Sequence, residues 1–310
     1  MLDKVFCLMG PTASGKTALA CELVNHFPVE IISVDSAMIY REMDIGTAKP
    51  SQAELARAPH YLIDVRDPSD SFSAAQFCEE TMRLCATIFS RGKIPLLVGG
   101  TMMYFHALQQ GLSALPEADG TMRAQLTEQA KKQGWDAMHT KLAAVDPLSA
   151  AKIHANDTQR IQRALEVFYL TGKPLSVLLA EQKTAAPFNY INFLLMPNDR
   201  SWLHARIAAR FEIMLQQGFL HEVENLLQKW HLSLSSPAMR CVGYRQACDY
   251  LASNDDYSNF CNKSIAATRQ LAKRQLTWLR HWPEGQEIAC DDPDANSQIM
   301  AIMNKILDNN

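Results

Sequence analysis

The sequence predicts an α/β fold in which helices flank a parallel sheet. Three short apolar runs, at 5–9, 30–34 and 94–98, each end in residues suited to turns and ligand contacts. Stretches with helical periodicity separate these runs, which is the alternation that builds parallel sheets from βαβ units. Because the carboxyl ends of parallel strands lie at one edge of a sheet, the residues after the three runs are expected to share a ligand-binding rim.

The first of these turns, GPTASGKT at 10–17, matches the P-loop pattern G-x-x-x-x-G-K-[ST]. An apolar run precedes it and a helical pattern over 16–26 follows, which is the context that this motif requires. The loop N–H groups and the helix dipole favour an anion, Lys16 adds a point charge, and the Thr17 hydroxyl can hold Mg²⁺. The predicted phosphate-binding residues are Gly10, Pro11, Thr12, Ala13, Ser14, Gly15, Lys16 and Thr17.

Composition limits the classes of protein that this sequence can belong to. With 30 basic and 33 acidic residues the net charge is −3, so a nucleic-acid site must be a local basic patch. No apolar run approaches the roughly 20 residues that span a bilayer, and the N-terminus leads directly into the first predicted strand. The eight cysteines contain no C-x-x-C pair, which disfavours a zinc site. We therefore expect a cytoplasmic protein with reduced thiols and no membrane partner.

The composition changes between residues 115 and 187, where helical patterns dominate and no strong strand occurs. Residues 189–196 return to strand character, and we expect them to form the last strand of the sheet. The predicted architecture is a P-loop NTPase-like core domain at 1–114 and 188–310, with a helical insertion domain at 115–187. Further expectations are a third strand at 60–65 and helices at 74–91, 201–217 and 264–282.

Three residues, two of them at the rim, each allow two interpretations. Asp35 follows the second apolar run and is either a reactive carboxylate or a helix N-cap. Thr101 offers a hydroxyl at the same rim, and it is likewise a possible cap. Arg210 lies about 20° from the apolar position Leu203 on a helical wheel, so it requires an anionic partner, either a phosphate or a buried salt bridge. No acidic residue follows the run at 94–98, which disfavours a motor ATPase.

Basic residues are concentrated in three segments. Arg160 and Arg163 lie off the apolar stripe of their predicted helix, at about 60° from each other. The segment 240–245 has an arginine at each end, and the helix at 264–282 carries further cations around Lys273. Each segment fits a solvated face, but three of them in a nearly neutral chain favour a local nucleic-acid groove.

Together the motifs resemble the bacterial tRNA dimethylallyltransferases nearly from end to end. Eukaryotic relatives append a zinc finger, which this sequence lacks. The resemblance rests on GPTASGKT at 10–17, VDSAMIYREMDIGTAKP at 34–50, LVGGT at 97–101, QRIQRALEV at 159–167, RCVGYRQ at 240–246 and RQLAKRQLTWLR at 269–280.

This resemblance implies transfer of a dimethylallyl group from dimethylallyl diphosphate to N6 of adenosine 37, in tRNAs that read codons beginning with U. The P-loop would hold the diphosphate, and the target base would leave its stack to reach the site. Asp35 would accept the N6 proton and Thr101 would position the reactants. Lys16, Arg210 and Mg²⁺ on Thr17 would stabilise the leaving group.

The resemblance also implies a set of contacts with the tRNA anticodon arm. The other implied partners are dimethylallyl diphosphate and Mg²⁺, and a monomer is expected. The implied tRNA-binding residues are Asp35, Ser36, Ala37, Met38, Thr101, Arg123, Gln159, Arg160, Ile161, Gln162, Arg163, Arg240, Cys241, Val242, Gly243, Tyr244, Arg245, Lys273, Arg274, Gln275, Leu276, Thr277, Trp278, Leu279 and Arg280.

Two other functions remain compatible with the P-loop. A small-molecule or nucleotide kinase would use the same loop with ATP as donor, and Asp35 would activate a hydroxyl. A non-catalytic tRNA-binding or NTP-switch protein would bind these ligands without forming a product.

Overall fold

The computed structural model describes residues 3–181, 185–234, 236–253 and 255–308. The chain divides into two compact units, of which unit 1 comprises Met1–Gln109 and Pro187–Asn310 and unit 2 comprises Gln110–Ala186. The insertion was predicted to start at residue 115, whereas unit 2 already starts at Gln110. The reason is local: the helical pattern of unit 2 begins only at Gly120, after an irregular segment that carries no periodicity.

A six-stranded parallel sheet forms the centre of unit 1. Parallel pairing places Met9 and Val34 each opposite Gly99, so three strands end at the same level. The loops that follow these strands consequently share one edge, as predicted. The strands are β1 (Lys4–Met9), β2 (Val29–Val34), β3 (His60–Tyr61), β4 (Ile94–Gly99), β5 (Asn189–Met196) and β6 (Gln286–Ala289), in the spatial order β3-β2-β4-β1-β5-β6.

The helices account for most of the remaining chain. In unit 1 the described helices before the insertion are α1 (Lys16–His26), α2 (Gln52–Arg57), α3 (Ala74–Ser90) and α4 (Met102–Gln110). Unit 2 contains α5 (Gly120–Gln133), α6 (Trp135–Val145), α7 (Pro147–Lys152), α8 (Thr158–Thr171) and α9 (Leu175–Ala180). Unit 1 then continues with α10 (Arg200–Gln216), α11 (Phe219–Lys229), a 3₁₀ turn (Ala238–Arg240), α12 (Tyr244–Leu251), α13 (Tyr257–Arg280) and α14 (Ala295–Asp308).

Two apolar clusters hold unit 1 together. In the first, Phe6 and Leu8 of β1 pack with Leu23 of α1 and Ile299 of α14. In the second, helices α10 to α13 pack against the segment that follows β2, including Ile39, Tyr40 and Met43. The second cluster therefore fixes the loop after β2 beside the P-loop edge of the sheet.

The expected third strand is much shorter than predicted. Only His60–Tyr61 pairs with β2, whereas residues 62–65 leave the sheet. Leu62 and Asp64 have φ values of 62° and 55°, which lie in the left-handed region and end the extended conformation. Asp64 instead accepts a hydrogen bond from Lys49 at 2.5 Å, so this segment serves the neighbouring loop.

The C-terminal part differs from the prediction in two respects, an additional strand and an earlier start of its long helix. β5 is not the last strand, because β6 pairs with it at the sheet edge and α14 then packs on the core. The long helix α13 begins at Tyr257 rather than near Ser264, since Asp256 caps it by accepting hydrogen bonds from the N–H groups of Ser258 and Asn259.

Unit 2 has its own apolar core. Its centre contains Leu126, Met138, Leu142, Ile161 and Leu165, contributed by α5, α6 and α8. Helix α8 ends at Gly172, which has a φ of 72° directly after the helix.

Searched over its described residues, the chain contains no helix that combines the length and the apolar character needed to cross a bilayer.

Candidate active site

A cavity of about 1050 Å³ opens at the shared edge of the sheet, entirely within unit 1. Its walls come from the P-loop, the loop after β2, the turn after β4, helices α10 and α13, and residues 240–244. Lys16, Asp35, Thr101 and Arg210 all line it. The structure thus brings together the four residues predicted to be catalytic, although 175 positions separate Asp35 from Arg210 in the sequence.

The P-loop has the backbone geometry expected of an anion cradle. Gly15 precedes α1 with a φ of 95° and has no side chain that could cap the helix. The first N–H groups of α1 therefore lack a side-chain acceptor at the N-cap, and they carry the positive end of the helix dipole. Gly10 leaves little room for a side chain, because a Cβ there would lie 2.9 Å from Ser14 Oγ.

Lys16 rests on its own loop. Its Nζ donates hydrogen bonds to the Pro11 carbonyl at 2.6 Å and to Ser14 Oγ at 3.4 Å. Burial, helped by the nearby Arg210 guanidinium and opposed by Asp35, lowers the pKa of Lys16 to about 8. A phosphate in the cavity would favour the charged form of Lys16 and give it a stronger acceptor than the two that it uses here.

Asp35 caps the backbone turn that follows β2 through one of its two oxygens. Its Oδ1 accepts hydrogen bonds from the N–H groups of Ala37 at 2.8 Å and Met38 at 3.2 Å. The capped segment is a turn and not the predicted helix. The second oxygen, Oδ2, accepts no hydrogen bond from the described residues, so one oxygen orients the carboxylate and the other can act on a ligand.

Thr101 connects the turn after β4 to the loop that carries Asp35. Its N–H donates to the Val34 carbonyl at 3.2 Å, and its Oγ1 accepts from Ser36 N–H at 3.1 Å. Ser36 follows Asp35 directly. Thr101 therefore acts on Asp35 by holding the neighbouring backbone.

Arg210 has no carboxylate partner within salt-bridge distance among the described residues, so the alternative of a buried salt bridge is not observed. Among the described residues, its only hydrogen bond goes to the Thr47 carbonyl at 3.5 Å. Burial lowers its pKa, Asp35 raises it, and Arg206 lowers it. A half-buried guanidinium with a single long contact favours an anionic ligand.

Arg206 is a cavity residue that the sequence analysis missed. Its Nε donates to the Ala13 carbonyl of the P-loop at 2.8 Å, and its guanidinium lies 4.7 Å from the Trp202 ring centroid. The signal was available, because Arg206 precedes Arg210 by one helical turn and therefore shares its face. The P-loop edge of the cavity thus holds three cations.

Beside Asp35 the cavity wall is mostly apolar. Tyr104 stacks on Phe77 with ring centroids 4.4 Å apart, and its hydroxyl donates to the Phe72 carbonyl at 3.2 Å. Cys241 lines the same region, and burial followed by the Asp35 charge raises its pKa to about 12. Cys241 therefore stays a neutral thiol, and this wall can accommodate a small hydrocarbon group.

The DIGTAKP segment, residues 44–50, is anchored by a carboxylate that the sequence analysis did not single out. Glu222 of α11 accepts hydrogen bonds from Asp44 N–H at 2.9 Å, Ile45 N–H at 2.6 Å and Gly46 N–H at 3.1 Å. Tyr244 donates its hydroxyl to the same carboxylate at 2.6 Å. No local pattern indicates this role, because Glu222 lies 176 residues from Gly46.

Several predicted tRNA contacts in unit 1 have buried side chains, which corrects their assignment. Tyr244 is fully buried and serves Glu222, and Leu276 and Leu279 belong to the inner face of α13. Gln275 is also buried, and it hydrogen-bonds Thr12 and Gly100. The predicted contacts of unit 1 that are exposed are Ser36, Arg240, Arg245, Lys273, Arg274, Thr277, Trp278 and Arg280.

Two of the predicted tRNA contacts of unit 2, Arg123 and Arg163, bind a fully buried carboxylate. Arg123 Nε lies 2.8 Å from Glu166 Oε1, and Arg163 lies 2.6 Å from Oε2. Although burial raises the pKa of Glu166, the hydrogen bonds from the two arginines bring it below its usual range. Ile161 is 0% exposed, so its predicted contact is corrected to core packing, whereas Gln159 and Arg160 are exposed.

The cavity offers few protein ligands for a metal ion. Among the described residues, no group of three or more His, Cys, Asp or Glu side chains could hold one. The Thr17 hydroxyl and the Asp35 carboxylate line the same cavity. Since Mg²⁺ commonly binds one or two protein oxygens together with substrate phosphates, this donor set fits Mg²⁺ when a phosphorylated substrate is present.

Sequence comparisons agree with this geometry. The profile of the IPP transferase family matches residues 38–282. A tRNA dimethylallyltransferase from Legionella pneumophila (strain Corby) is 61% identical over 305 residues, which cover 98% of this chain and 97% of the relative. One from Paraburkholderia xenovorans (strain LB400) is 55% identical, with 97% of each chain covered.

Solved structures show the same relationship. The full-length tRNA isopentenylpyrophosphate transferase from Bacillus halodurans is 34% identical with a TM-score of 0.70, covering 98% of this chain and 96% of that one. A eukaryotic dimethylallyltransferase acting on tRNA is 27% identical with a TM-score of 0.81, covering 99% of this chain and 80% of that one. The high identity over nearly the whole chain, together with a P-loop that faces a carboxylate across one cavity, shows that this chain belongs to the tRNA dimethylallyltransferase family.

Proposed function

We propose that this protein transfers the dimethylallyl group of dimethylallyl diphosphate to N6 of adenosine 37 in tRNAs that read codons beginning with U. The products are N6-isopentenyladenosine and pyrophosphate. The observation that carries this proposal is that the P-loop cations and Asp35 line one cavity with an apolar wall beside the carboxylate. The named relatives support the same reaction class, and none of the relatives described above is named a kinase.

The diphosphate would occupy the P-loop edge of the cavity. The α1 N–H groups, Lys16 and Arg210 would bind its oxygens, and Arg206 would keep the loop in place through the Ala13 carbonyl. Negative charge on this group increases as the allylic carbon–oxygen bond breaks, so these cations stabilise the transition state more than the bound substrate. Mg²⁺ held by Thr17 would supply additional positive charge at the diphosphate.

The acceptor amine would lie on the Asp35 side. The N6 lone pair forms the new bond to the allylic carbon while the carbon–oxygen bond to diphosphate breaks. Oδ2 of Asp35 accepts the proton that N6 loses, since Oδ1 is engaged by the turn. The five-carbon group would contact the wall formed by Tyr104, Phe72 and Cys241.

The tRNA would bind through the exposed cations of unit 1. Arg240, Arg274 and the exposed Trp278 line the mouth of the cavity, which suits phosphate contacts and stacking on an unpaired base. Adenosine 37 must leave its stack to reach Asp35, at a cost of roughly a few kcal/mol. We propose a monomeric cytoplasmic enzyme that binds the anticodon arm.

The test combines the protein with unmodified tRNA, Mg²⁺ and dimethylallyl diphosphate. Nucleoside mass analysis is expected to detect isopentenyladenosine, and omission of either substrate should abolish it. A parallel reaction with ATP and small hydroxyl acceptors tests for a kinase. Tight tRNA binding without any modified nucleoside would contradict the proposal and support a non-catalytic tRNA-binding protein.

A further inference from the structure

Gln275 connects two loops of the active-site cavity from the inner face of α13. Its side chain is 8% exposed. Oε1 accepts a hydrogen bond from Thr12 N–H at 2.9 Å, and Nε2 donates to the Gly100 carbonyl at 2.9 Å. An N–H group can only donate and a carbonyl can only accept, so the two partners also fix the orientation of the amide.

The absence of a side chain at Gly100 leaves the space for this amide. A Cβ on Gly100 would lie 2.3 Å from Gln275 Nε2 and 3.1 Å from the Gly10 carbonyl oxygen. Any larger residue at position 100 would therefore displace the amide and the two loops that it joins.

The contacts continue from Gly100 to the carboxylate. Thr101 follows Gly100, and its Oγ1 accepts the N–H of Ser36, the residue after Asp35. Hydrogen bonds, joined by the peptide bond between Gly100 and Thr101, thus connect the P-loop through Gln275 to the loop that carries Asp35.

Helix α13 presents a second, exposed face to solvent. Lys273, Arg274 and Trp278 lie on it, whereas Gln275 and Leu276 are buried. The helix that offers cations and an aromatic ring to a nucleic acid is therefore the helix that contacts the P-loop.

We propose that Gln275 is a positioning residue that sets the P-loop relative to Asp35 and couples tRNA binding on α13 to the affinity for diphosphate. The coupling rests on the function proposed above. By linkage, tRNA on α13 strengthens diphosphate binding by the same factor by which diphosphate strengthens tRNA binding. Removing both hydrogen bonds of Gln275 should abolish this factor.

The test uses Gln275→Met, which keeps the side-chain length and removes both hydrogen bonds. The dissociation constant for inorganic pyrophosphate without tRNA is expected to rise about tenfold, and the single-turnover rate to fall about tenfold, because both ends of the site lose their alignment. The dissociation constant for tRNA without pyrophosphate should stay within about twofold, while the mutual enhancement of about fivefold or more in the wild type should disappear.

Ser264→Ala is the matched control. Ser264 is buried on the same helix, and its hydroxyl has no hydrogen-bond partner among the described residues. This variant should preserve pyrophosphate affinity, rate and coupling. Unchanged pyrophosphate affinity and coupling in folded Gln275→Met would overturn the inference, whereas a wild-type protein that forms no isopentenyladenosine would overturn the proposed function instead.

Hydrogen exchange of the wild-type protein tests the contact without any variant. The Thr12 amide should be protected in the absence of ligands, because Gln275 accepts its hydrogen bond. Exchange at the rate of an exposed amide would overturn the proposal even if Gln275→Met failed to fold.

Discussion

At Asp35 the two oxygens of one carboxylate have different tasks. Oδ1 accepts two backbone N–H groups and thereby orients the side chain, and Oδ2 faces the cavity without a protein donor among the described residues. A carboxylate that is held through one oxygen and open at the other suits a general base, because the side chain is already oriented before the substrate binds.

Asp35→Asn separates these two tasks. The amide oxygen can still accept the turn N–H groups, but the side chain can no longer accept the N6 proton. We expect the single-turnover rate to fall by about 10² to 10⁴, the usual contribution of a general base, while tRNA still binds. Asp249→Asn, at an exposed position of α12, is the control and should keep the wild-type rate. A wild-type rate in Asp35→Asn would exclude Asp35 as the base.

Lys16 predicts a pH dependence of diphosphate binding. Its pKa of about 8 lies below the usual 10.5, and a bound diphosphate raises it again. Binding therefore takes up a proton when the pH exceeds about 8, and the affinity for dimethylallyl diphosphate falls as the pH rises through that value.

Calorimetry in buffers of different ionisation enthalpy measures this proton uptake, here with dimethylallyl diphosphate and no tRNA. Lys16→Arg is the control, because arginine stays charged and should bind without proton uptake. Absence of proton uptake by the wild type at pH values above 8 would show that Lys16 is already charged in the free protein.

Among the elements, helix α11 holds the loop that follows β2. Its residue Glu222 gathers three consecutive backbone N–H groups and the Tyr244 hydroxyl. Gly46 fits closely against this arrangement, since a Cβ there would lie 2.3 Å from the Phe219 ring. Glu222 thus anchors the start of the loop that supplies the Thr47 carbonyl to Arg210.

Glu222→Gln should weaken this anchor, because the amide group places a donor where the backbone also donates. We expect a loss of about 1–3 kcal/mol in the free energy of unfolding by urea, together with weaker diphosphate binding. Glu224→Gln is the matched control on the exposed side of α11, where the carboxylate lies 3.7 Å from His221. Equal stability of the two variants would contradict the anchoring role of Glu222.

For the whole molecule, charge distribution matters more than net charge. The protein carries −3 overall, yet Arg240, Arg245, Lys273, Arg274 and Arg280 are exposed in unit 1. Phosphate contacts release counterions, so binding through such a patch depends strongly on salt. A nearly neutral protein can therefore bind tRNA at one surface.

Lys273→Ala should weaken tRNA binding and reduce the slope of log K against log salt by about 1, the value for one lost phosphate contact. Lys305→Ala on α14 removes the same charge from a different helix and serves as the control. Filter binding over a range of salt concentrations measures both slopes. Equal slopes for the wild type and Lys273→Ala would mean that Lys273 does not contact the phosphate backbone.

Local sequence patterns were sufficient to predict the strands and the helix that position the active site. The spacing of GPTASGKT and the apolar periodicity after it predicted α1 at 16–26, and the apolar run at 189–196 predicted β5 with its observed bounds. Parallel pairing then placed Asp35 and Thr101 beside the P-loop. These inferences hold because a helix or strand depends mainly on neighbours a few residues apart.

Only the tertiary structure decided which side chains face the cavity and which hold it together. Gln275 lies 263 residues from Thr12 and 175 from Gly100, and the sequence analysis placed it among the implied tRNA contacts. Ile161 and Tyr244 were likewise grouped with RNA contacts, but their side chains are buried. The physical reason is that burial and hydrogen-bond partners arise from packing between distant segments, whereas motif and periodicity record only what adjacent residues favour.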